Sequence, residues 1–390
     1  MRARGAVLWG VGQPWSIEEF EVDHPGGGEV LVEWKAGGLC HSDEHVKSGD
    51  RVLPEETLAT MGCPPLFPCL CGHEGAGVVA EVGANVRSLA EGDHVSATFL
   101  SPCGRCRYCG TGRQYLCETL KRYLLRGQLT DGVVRHHIGG NDLQVLSKLG
   151  TFSDRSVVAE QSVVKVDADI PFPAAAIVSC GVGTGWGAAV ERAGTRPGDV
   201  VIVVGVGGLG ISAVQGARSV GAGEIVAVDP VESRREAAVK FGATRSAGSL
   251  VEADALVKDL TAGRGADRVV ITVGFLRGDL LHDALTATAR GGTCVLAGLG
   301  RFGRTPLELD LSDFATANKE LKGTMFGSLN PTEAIPRLLD LYRRGLLNLD
   351  DMVTTYPLDD INDGYQAMRD GRNIRGVVLM DGPAANGSNA

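Results

Sequence analysis

Residues 200–210 read VVIVVGVGGLG, five unbroken β-branched apolar residues followed by glycines at 205, 207 and 210. A continuous run of this kind suits a strand buried on both faces, the position of a central strand in a parallel sheet. The next residues, LGISAVQGARSVGA (209–222), have helical spacing. A G-x-G-x-x-G triplet alone is often no more than a glycine-rich turn. Here it ends a strand and opens a helix, where loop N–H groups face an anion and glycine lets a pyrophosphate approach the backbone. Gly205, Gly207 and Gly210 are therefore candidate dinucleotide contacts.

The pattern continues outward from that loop. EIVAVD (224–229) reads as a second strand and PVESRREAAVKFGA (230–243) as its helix. ADRVVITVG, GGTCVLAGLG and ELKGTMFGS read as further strands with helical intervals. Alternation of this kind is the mark of an α/β doubly wound parallel sheet, a Rossmann arrangement. Asp229 closes the second strand nineteen residues after Gly210. A carboxylate there accepts from both adenosine-ribose hydroxyls and repels a 2′-phosphate, so NAD is favoured over NADP. Arg234 is near enough to touch the ribose; its plainer reading, like that of Arg235, is a solvated helix face.

Upstream, GEVLVEWKAGG, GAGVVAEVG and GDHVSATF are short β segments between glycines and prolines. Downstream, PTEAIPRLLDLYRRGLLN reads as an amphipathic helix and RGVVLMD as a late strand that returns to the first domain. The limits drawn are 1–181 for a catalytic domain, 182–324 for an NAD-binding domain and 325–390 for the return, with the tail GPAANGSNA expected to be disordered.

A chain of 390 residues is long enough for two cores. A net charge of −9 argues against a nucleic-acid surface. No stretch reads as a membrane span or a cleavable leader, so the expected location is the cytoplasm. Nine of the ten cysteines precede residue 181, and four of them fall in CGRCRYCGTGRQYLC (103–117). Cys103, Cys106, Cys109 and Cys117 could close a four-sulfur tetrahedron around a structural zinc. The alternatives are an iron–sulfur cluster or two disulfides. GLCHSDEHVKSGD (38–50) gathers a cysteine, two histidines and several acids. By itself it is either a metal site with proton machinery or a polar loop.

Taken together, GLCHSD, GHEGAG, the four-cysteine segment, SCGVGTG, GVGGLG with Asp229, and IRGVVLM stand in the order found in zinc-dependent medium-chain alcohol dehydrogenases, which the chain resembles over nearly its whole length. GAVLWGVGQPWSIEE and LGTFSDRSVV resemble more narrowly the actinobacterial NDMA-dependent (nicotinoprotein) members. The resemblance implies a GroES-like, β-rich catalytic domain beside the Rossmann domain, and two zinc ions with NAD. It implies Cys40, His73 and Cys180 as catalytic-zinc ligands, Glu74 as an acid close behind them and Asp43 as the carboxylate orienting the imidazole. An alcohol on that zinc would lose its proton near neutral pH and give hydride to the nicotinamide, leaving an aldehyde or ketone. Ser42 would take the proton, and His45 would deliver it at a solvent-facing last step. His41 and Arg375 would contact the pyrophosphate, and Phe99 would line the substrate pocket. Taken singly, Cys40 or Cys180 would pass for a core cysteine and His45 or Arg375 for a surface residue.

Against the family pattern, VKSGDRVLPEETLATMGCPPLFPCLCG (46–72) is about a dozen residues long in excess. It carries Cys63, Cys69 and Cys71, the last a spare thiol, an oxidation-sensitive neighbour or an alternative ligand. Three further readings stay open. NAD(H) could remain bound while an external acceptor reoxidises it. The substrate could be a thiol–formaldehyde adduct held by Lys121, Arg122 and Arg126. The chain could instead be a zinc-binding structural or nucleic-acid module. As an enzyme it would act on small alcohols or aldehydes, with neither nucleic acid nor membrane as partner, as a homodimer or homotetramer.

Overall fold

A computed structural model describes residues 1–119, 132–300 and 305–381. Lys121, Arg122, Arg126 and the tail 382–390 lie outside the described residues. The chain divides into two compact units. One comprises Met1–Cys180, Pro331–Tyr342 and Leu349–Ala390; the other comprises Gly181–Asn330 and Arg343–Asn348.

In the second unit, six parallel strands run in the order Arg245–Ala247, Glu224–Val228, Val200–Val204, Ala266–Ile271, Thr288–Leu296 and Glu320–Gly323. Numbered along this unit, that order is 3-2-1-4-5-6, the doubly wound arrangement, whose switch point falls between Val200–Val204 and Ala266–Ile271. Val204 is in register with Val228 on one side and Ile271 on the other. Val201 to Val204 are buried, as expected of a strand covered on both faces. Helices Gly208–Ser219, Glu232–Lys240, Leu250–Leu260 and Gly278–Ala287 follow the first, second, third and fourth strands. The third of these helices begins on a Ser249 cap, whose side chain accepts from the Glu252 N–H. The three-residue strand Arg245–Ala247 was not expected, because RSA carries no apolar run.

The first unit is built on two sheets. The larger runs Val163–Lys165, His94–Ala97, Gly75–Val82, Glu29–Gly38, Arg375–Leu379 and Val353–Pro357, with Arg155–Ala159 also paired to Glu29–Gly38. The late strand returns as the sequence suggested: Val377 pairs antiparallel with Gly38 and Leu379 with Ala36. The smaller sheet contains Arg2–Leu8, Ser16–Val22 and the two-residue strand Cys69–Leu70. A fully buried group including Leu8, Leu39, Phe152 and Tyr365 packs beneath it, and Trp15 stacks on Tyr365 with ring centroids 5.2 Å apart.

No stretch reads as a membrane span from the sequence, yet one helical run reaches that length. The helical run Phe172–Arg192 spans 21 residues and is apolar enough to match a membrane span by length and composition. Its apolar window is 78% buried within the fold, so it serves as a core helix. Alanine, glycine and valine dominate it because neighbours pack against its backbone: a Cβ on Gly187 would meet Gly327 O at 2.7 Å.

Candidate functional site

The stretch around residue 40 is a short helix rather than a loop. His41–Lys47 is helical, with Cys40 in extended conformation (φ −121°, ψ 147°) at its start. Asp43, one turn in, is fully buried. It is held by the Gly72 N–H, which donates to Oδ1 at 2.9 Å, and its Oδ2 lies 2.9 Å from His73 Nδ1. That contact occupies one ring nitrogen of His73 and directs the other toward the cysteines. Cys180 sits on a π-helical turn, Val178–Val182, a local widening that re-aims side chains at functional positions.

These elements bring Cys40, His73, Glu74 and Cys180 together, each offering a ligand atom within 4.8 Å of the others. Between themselves, the two thiols divide the charge unequally. A hydrogen bond from Cys180 holds Cys40 well below the usual thiol range against the cost of burial, with help from His73. The same bond pushes Cys180 up, as does burial. Burial works against a charged His73, but Asp43 and the Cys40 thiolate outweigh it and raise the imidazole. Burial also pushes Glu74 up to about 8, although Arg375 opposes this. An arrangement of two sulfurs and an imidazole at this range, with the second ring nitrogen already fixed, fits the donor set of an open zinc site.

Arg375 is not the surface residue of its plainer reading. Its guanidinium is 6% exposed and donates from Nη2 to Glu74 Oε2. It faces the Cys40 and Cys180 sulfurs as well as Glu74, so a cation is set against the acidic groups of the cluster. The two partners are 301 residues apart, beyond the reach of any local pattern. Gly38 makes room for the pair, since a Cβ there would lie 2.3 Å from Glu74 Oε2. Thr151, which the sequence did not single out, donates from Oγ1 to the Glu74 carbonyl at 2.7 Å. Tyr365 OH reaches the Cys40 carbonyl at 3.4 Å.

Ser42 Oγ stands 3.6 Å from Cys40 Sγ. His45 departs from expectation: it is 5% exposed and so is neither solvent-facing nor a surface histidine. His41 is the exposed one, four residues earlier on the same helix, with ring centroids 6.2 Å apart. Phe99 meets the His73 ring edge-on at 6.0 Å. Cys71 is fully buried among Leu39, Phe152 and Tyr365, and burial pushes its thiol up. It falls outside the metal-ligand group found among the described residues. Cys69 is likewise fully buried and Cys63 nearly so.

The four-cysteine segment forms a second cluster. The sulfurs of Cys103, Cys106, Cys109 and Cys117 lie within 4.8 Å of one another, and all four cysteines are free. Left-handed Gly104 and Gly112 turn the chain about them. N–H donation from Cys109 and Glu118 brings Cys106 down to about 6, while burial pushes Cys109 up to about 12. Four sulfurs with no disulfide suit a closed tetrahedral cation site.

In the other unit, Gly205 has φ +85°, which a side chain would strain. A Cβ on Gly210 would stand 2.0 Å from Gly205 O, whereas the same position on Gly207 meets nothing within 4 Å. The loop is thus tight at its ends and open in its middle, as a cradle for pyrophosphate requires. Asp229 is buried beside it. Oδ2 accepts from the Val206 N–H at 3.1 Å and Oδ1 from the Val231 N–H at 2.9 Å. Arg234 Nη1 is 3.9 Å from Oδ2, and Arg235 turns back to the Asp229 carbonyl.

Comparison with known proteins agrees with both units. Residues 26–168 match the alcohol dehydrogenase GroES-like domain and residues 208–344 match zinc-binding dehydrogenase. The chain is 45% identical to an NDMA-dependent alcohol dehydrogenase of Amycolatopsis methanolica over 97% of its length and 99% of the relative's. It is also 45% identical to alcohol dehydrogenase B of Mycobacterium tuberculosis, covering 97% and 98% of the two chains. The crystal structure of benzyl alcohol dehydrogenase from Acinetobacter calcoaceticus superposes with a TM-score of 0.88 at 28% identity, covering 97% and 99%. Zinc and a nicotinamide cofactor, acting on small-molecule alcohols, are the equipment of this group of enzymes. With its GroES-like β-rich unit and its Rossmann unit, the chain belongs to the zinc-dependent medium-chain alcohol dehydrogenases, on the side of their actinobacterial members.

Proposed function

We propose that the chain is an NAD-dependent alcohol dehydrogenase carrying two zinc ions, a catalytic one on Cys40, His73 and Cys180 and a structural one on Cys103, Cys106, Cys109 and Cys117. The observation that carries the reading is the convergence of Cys40, His73 and Cys180, three donors from separate parts of the chain, within 4.8 Å. A four-coordinate cation on three protein donors keeps one position for substrate. The division of labour follows the sequence limits, with 1–181 and 325–390 catalytic and 182–324 binding coenzyme. By resemblance, the working form is a cytoplasmic homodimer or homotetramer.

Zinc on these donors supplies Lewis acidity that brings an alcohol hydroxyl toward neutral pKa, and NAD supplies the acceptor for the hydride leaving the carbinol carbon. The chain's own residues do the rest. Asp43 fixes the His73 ring and its tautomer. Ser42 Oγ accepts the substrate hydroxyl's proton as its own is passed on toward His45, inside the fold; His41, exposed on the same helix face, contacts the pyrophosphate. Arg375 keeps Glu74 paired and, by resemblance, contacts the pyrophosphate. Phe99, edge-on to His73, walls the substrate. Asp229 accepts from the adenosine-ribose hydroxyls, and Gly205, Gly207 and Gly210 shape the loop that takes the pyrophosphate. Arg234, beside that carboxylate, flanks the ribose. One alcohol and one NAD give one aldehyde or ketone, one NADH and one proton.

A second reading is that NAD(H) stays bound between turnovers and an external acceptor reoxidises it, favoured by the 45% identity to a relative named for NDMA. A screen of primary and secondary alcohols, run with NAD and with an artificial electron acceptor in parallel, tests both. Bound NAD(H) is released by denaturation and compared with chain concentration. Turnover with added NAD and an empty preparation supports the first reading. One NAD(H) per chain with acceptor-dependent turnover supports the second. Formaldehyde oxidation only with a low-molecular-weight thiol would replace both, and no alcohol turnover in any arm would overturn the proposal.

A further inference from the structure

One peptide of the glycine loop is held from two sides. The Gly205 N–H donates to Val228 O at 2.7 Å, and the following N–H, of Val206, donates to Asp229 Oδ2 at 3.1 Å. Between these, the Gly205 carbonyl accepts from Thr272 Oγ1. Thr272 is the first residue beyond the strand Ala266–Ile271, on the other side of Val200–Val204. Its hydroxyl also lies 3.0 Å from Val204 O, but that carbonyl already accepts the Thr272 N–H at 2.8 Å. A hydroxyl has one proton, so the nearer Gly205 carbonyl is its acceptor.

This bond acts where the backbone is freest. Gly205 is left-handed at φ +85°, and a peptide next to glycine rotates at little cost. The direction of the loop's N–H groups is what an anion reads. Turning the Gly205–Val206 peptide would swing the Val206 N–H off Asp229, disturbing the pyrophosphate cradle and the ribose acceptor together. Gly210 adds to the constraint, since a Cβ there would crowd both Gly205 O and, at 2.9 Å, Thr272 Oγ1.

We propose that Thr272 is a positioning residue for the coenzyme, whose hydroxyl locks the Gly205–Val206 peptide so that the glycine loop and Asp229 present a single arrangement to the dinucleotide. The inference rests on the coenzyme reading above and goes beyond it in assigning a residue outside the glycine motif and the ribose carboxylate.

The test uses the zinc-loaded, full-length protein stripped of bound coenzyme, as wild type, Thr272→Val and Thr272→Ser. Valine keeps the shape and removes the hydroxyl; serine keeps the hydroxyl. NADH titration by fluorescence should show about tenfold weaker binding for Thr272→Val, with a matching rise in KM for NAD. Its kcat at saturating NAD should stay within about twofold of wild type, and Thr272→Ser should bind within about twofold. A merely structural threonine would lower the melting temperature of the valine variant and leave the affinity of its folded fraction unchanged. That result, or a loss of kcat without a loss of affinity, overturns the proposal. Wild type that neither holds nor binds NADH instead overturns the coenzyme reading itself, and the inference with it.

Discussion

Gly72→Ala is the substitution whose consequence the geometry defines most closely. Gly72 has φ +93°, and its missing Cβ would stand 2.5 Å from Phe152 N, 2.6 Å from Thr151 Oγ1 and 2.8 Å from Phe152 Cδ1. The left-handed backbone costs a side chain about 1–2 kcal/mol. The overlap with Phe152 N involves backbone, which cannot rotate aside, and overpacking of a closed site costs about 1–3 kcal/mol. Together these give roughly 2–5 kcal/mol of lost stability. The damage is also directed at the site. Gly72 N–H positions Asp43, Asp43 positions His73, and His73 is the next residue in the chain. Urea unfolding of the zinc-loaded protein measures the first effect, and the rate of zinc loss to a chelator measures the second. The variant should show a lowered midpoint and faster loss of one of two zincs. A variant within about 0.5 kcal/mol of wild type that holds both metals as firmly would refute the reasoning. Gly207→Ala is the contrast: with nothing within 4 Å of its Cβ position, it should leave stability nearly unchanged.

Asp43→Asn should weaken retention of the catalytic zinc by about 10–100-fold, read by chelator competition, while far-ultraviolet dichroism stays that of wild type. Cys109→Ser should remove the other zinc and lower the melting temperature, yet leave more turnover per folded chain than any substitution of Cys40. Lys148 gives a pH prediction. Burial lowers its ammonium to about 7 against the pull of Glu29, so between about 7 and 10.5 the unfolded chain binds more protons than the folded one. That group's contribution makes stability rise with pH across the window. Urea midpoints at a series of pH values should show a shallower rise for Lys148→Met, and an identical slope would count against the buried ammonium.

What the sequence revealed and what it hid have physical causes. VVIVVGVGGLG was legible because a parallel strand needs apolar residues on both faces and a left-handed turn needs glycine, two local demands written in adjacent positions. CGRCRYCGTGRQYLC was legible for a similar reason, since its four sulfurs lie on one short segment. The helix His41–Lys47 was not, because Val46 is the one apolar residue among its seven and makes no stripe; its form depends on Asp43 turning inward to Gly72 and His73. The burial of His45 and the pairing of Arg375 with Glu74 are set by elements that meet only after folding. Phe172–Arg192 has a composition that either a core or a membrane would accept. A close-packed core helix and a membrane helix ask for the same residues, and only the surrounding fold separates them.

The central claim is that Cys40, His73 and Cys180 jointly hold the cation on which alcohol oxidation depends. Zinc content and turnover measured together, on wild type and Cys40→Ser, test it most directly. The account predicts two zincs per chain for wild type, one for the variant, and loss of nearly all alcohol oxidation in the variant with the fold retained. A Cys40→Ser protein that keeps both zincs, or that turns over alcohol at a rate close to wild type, would contradict it.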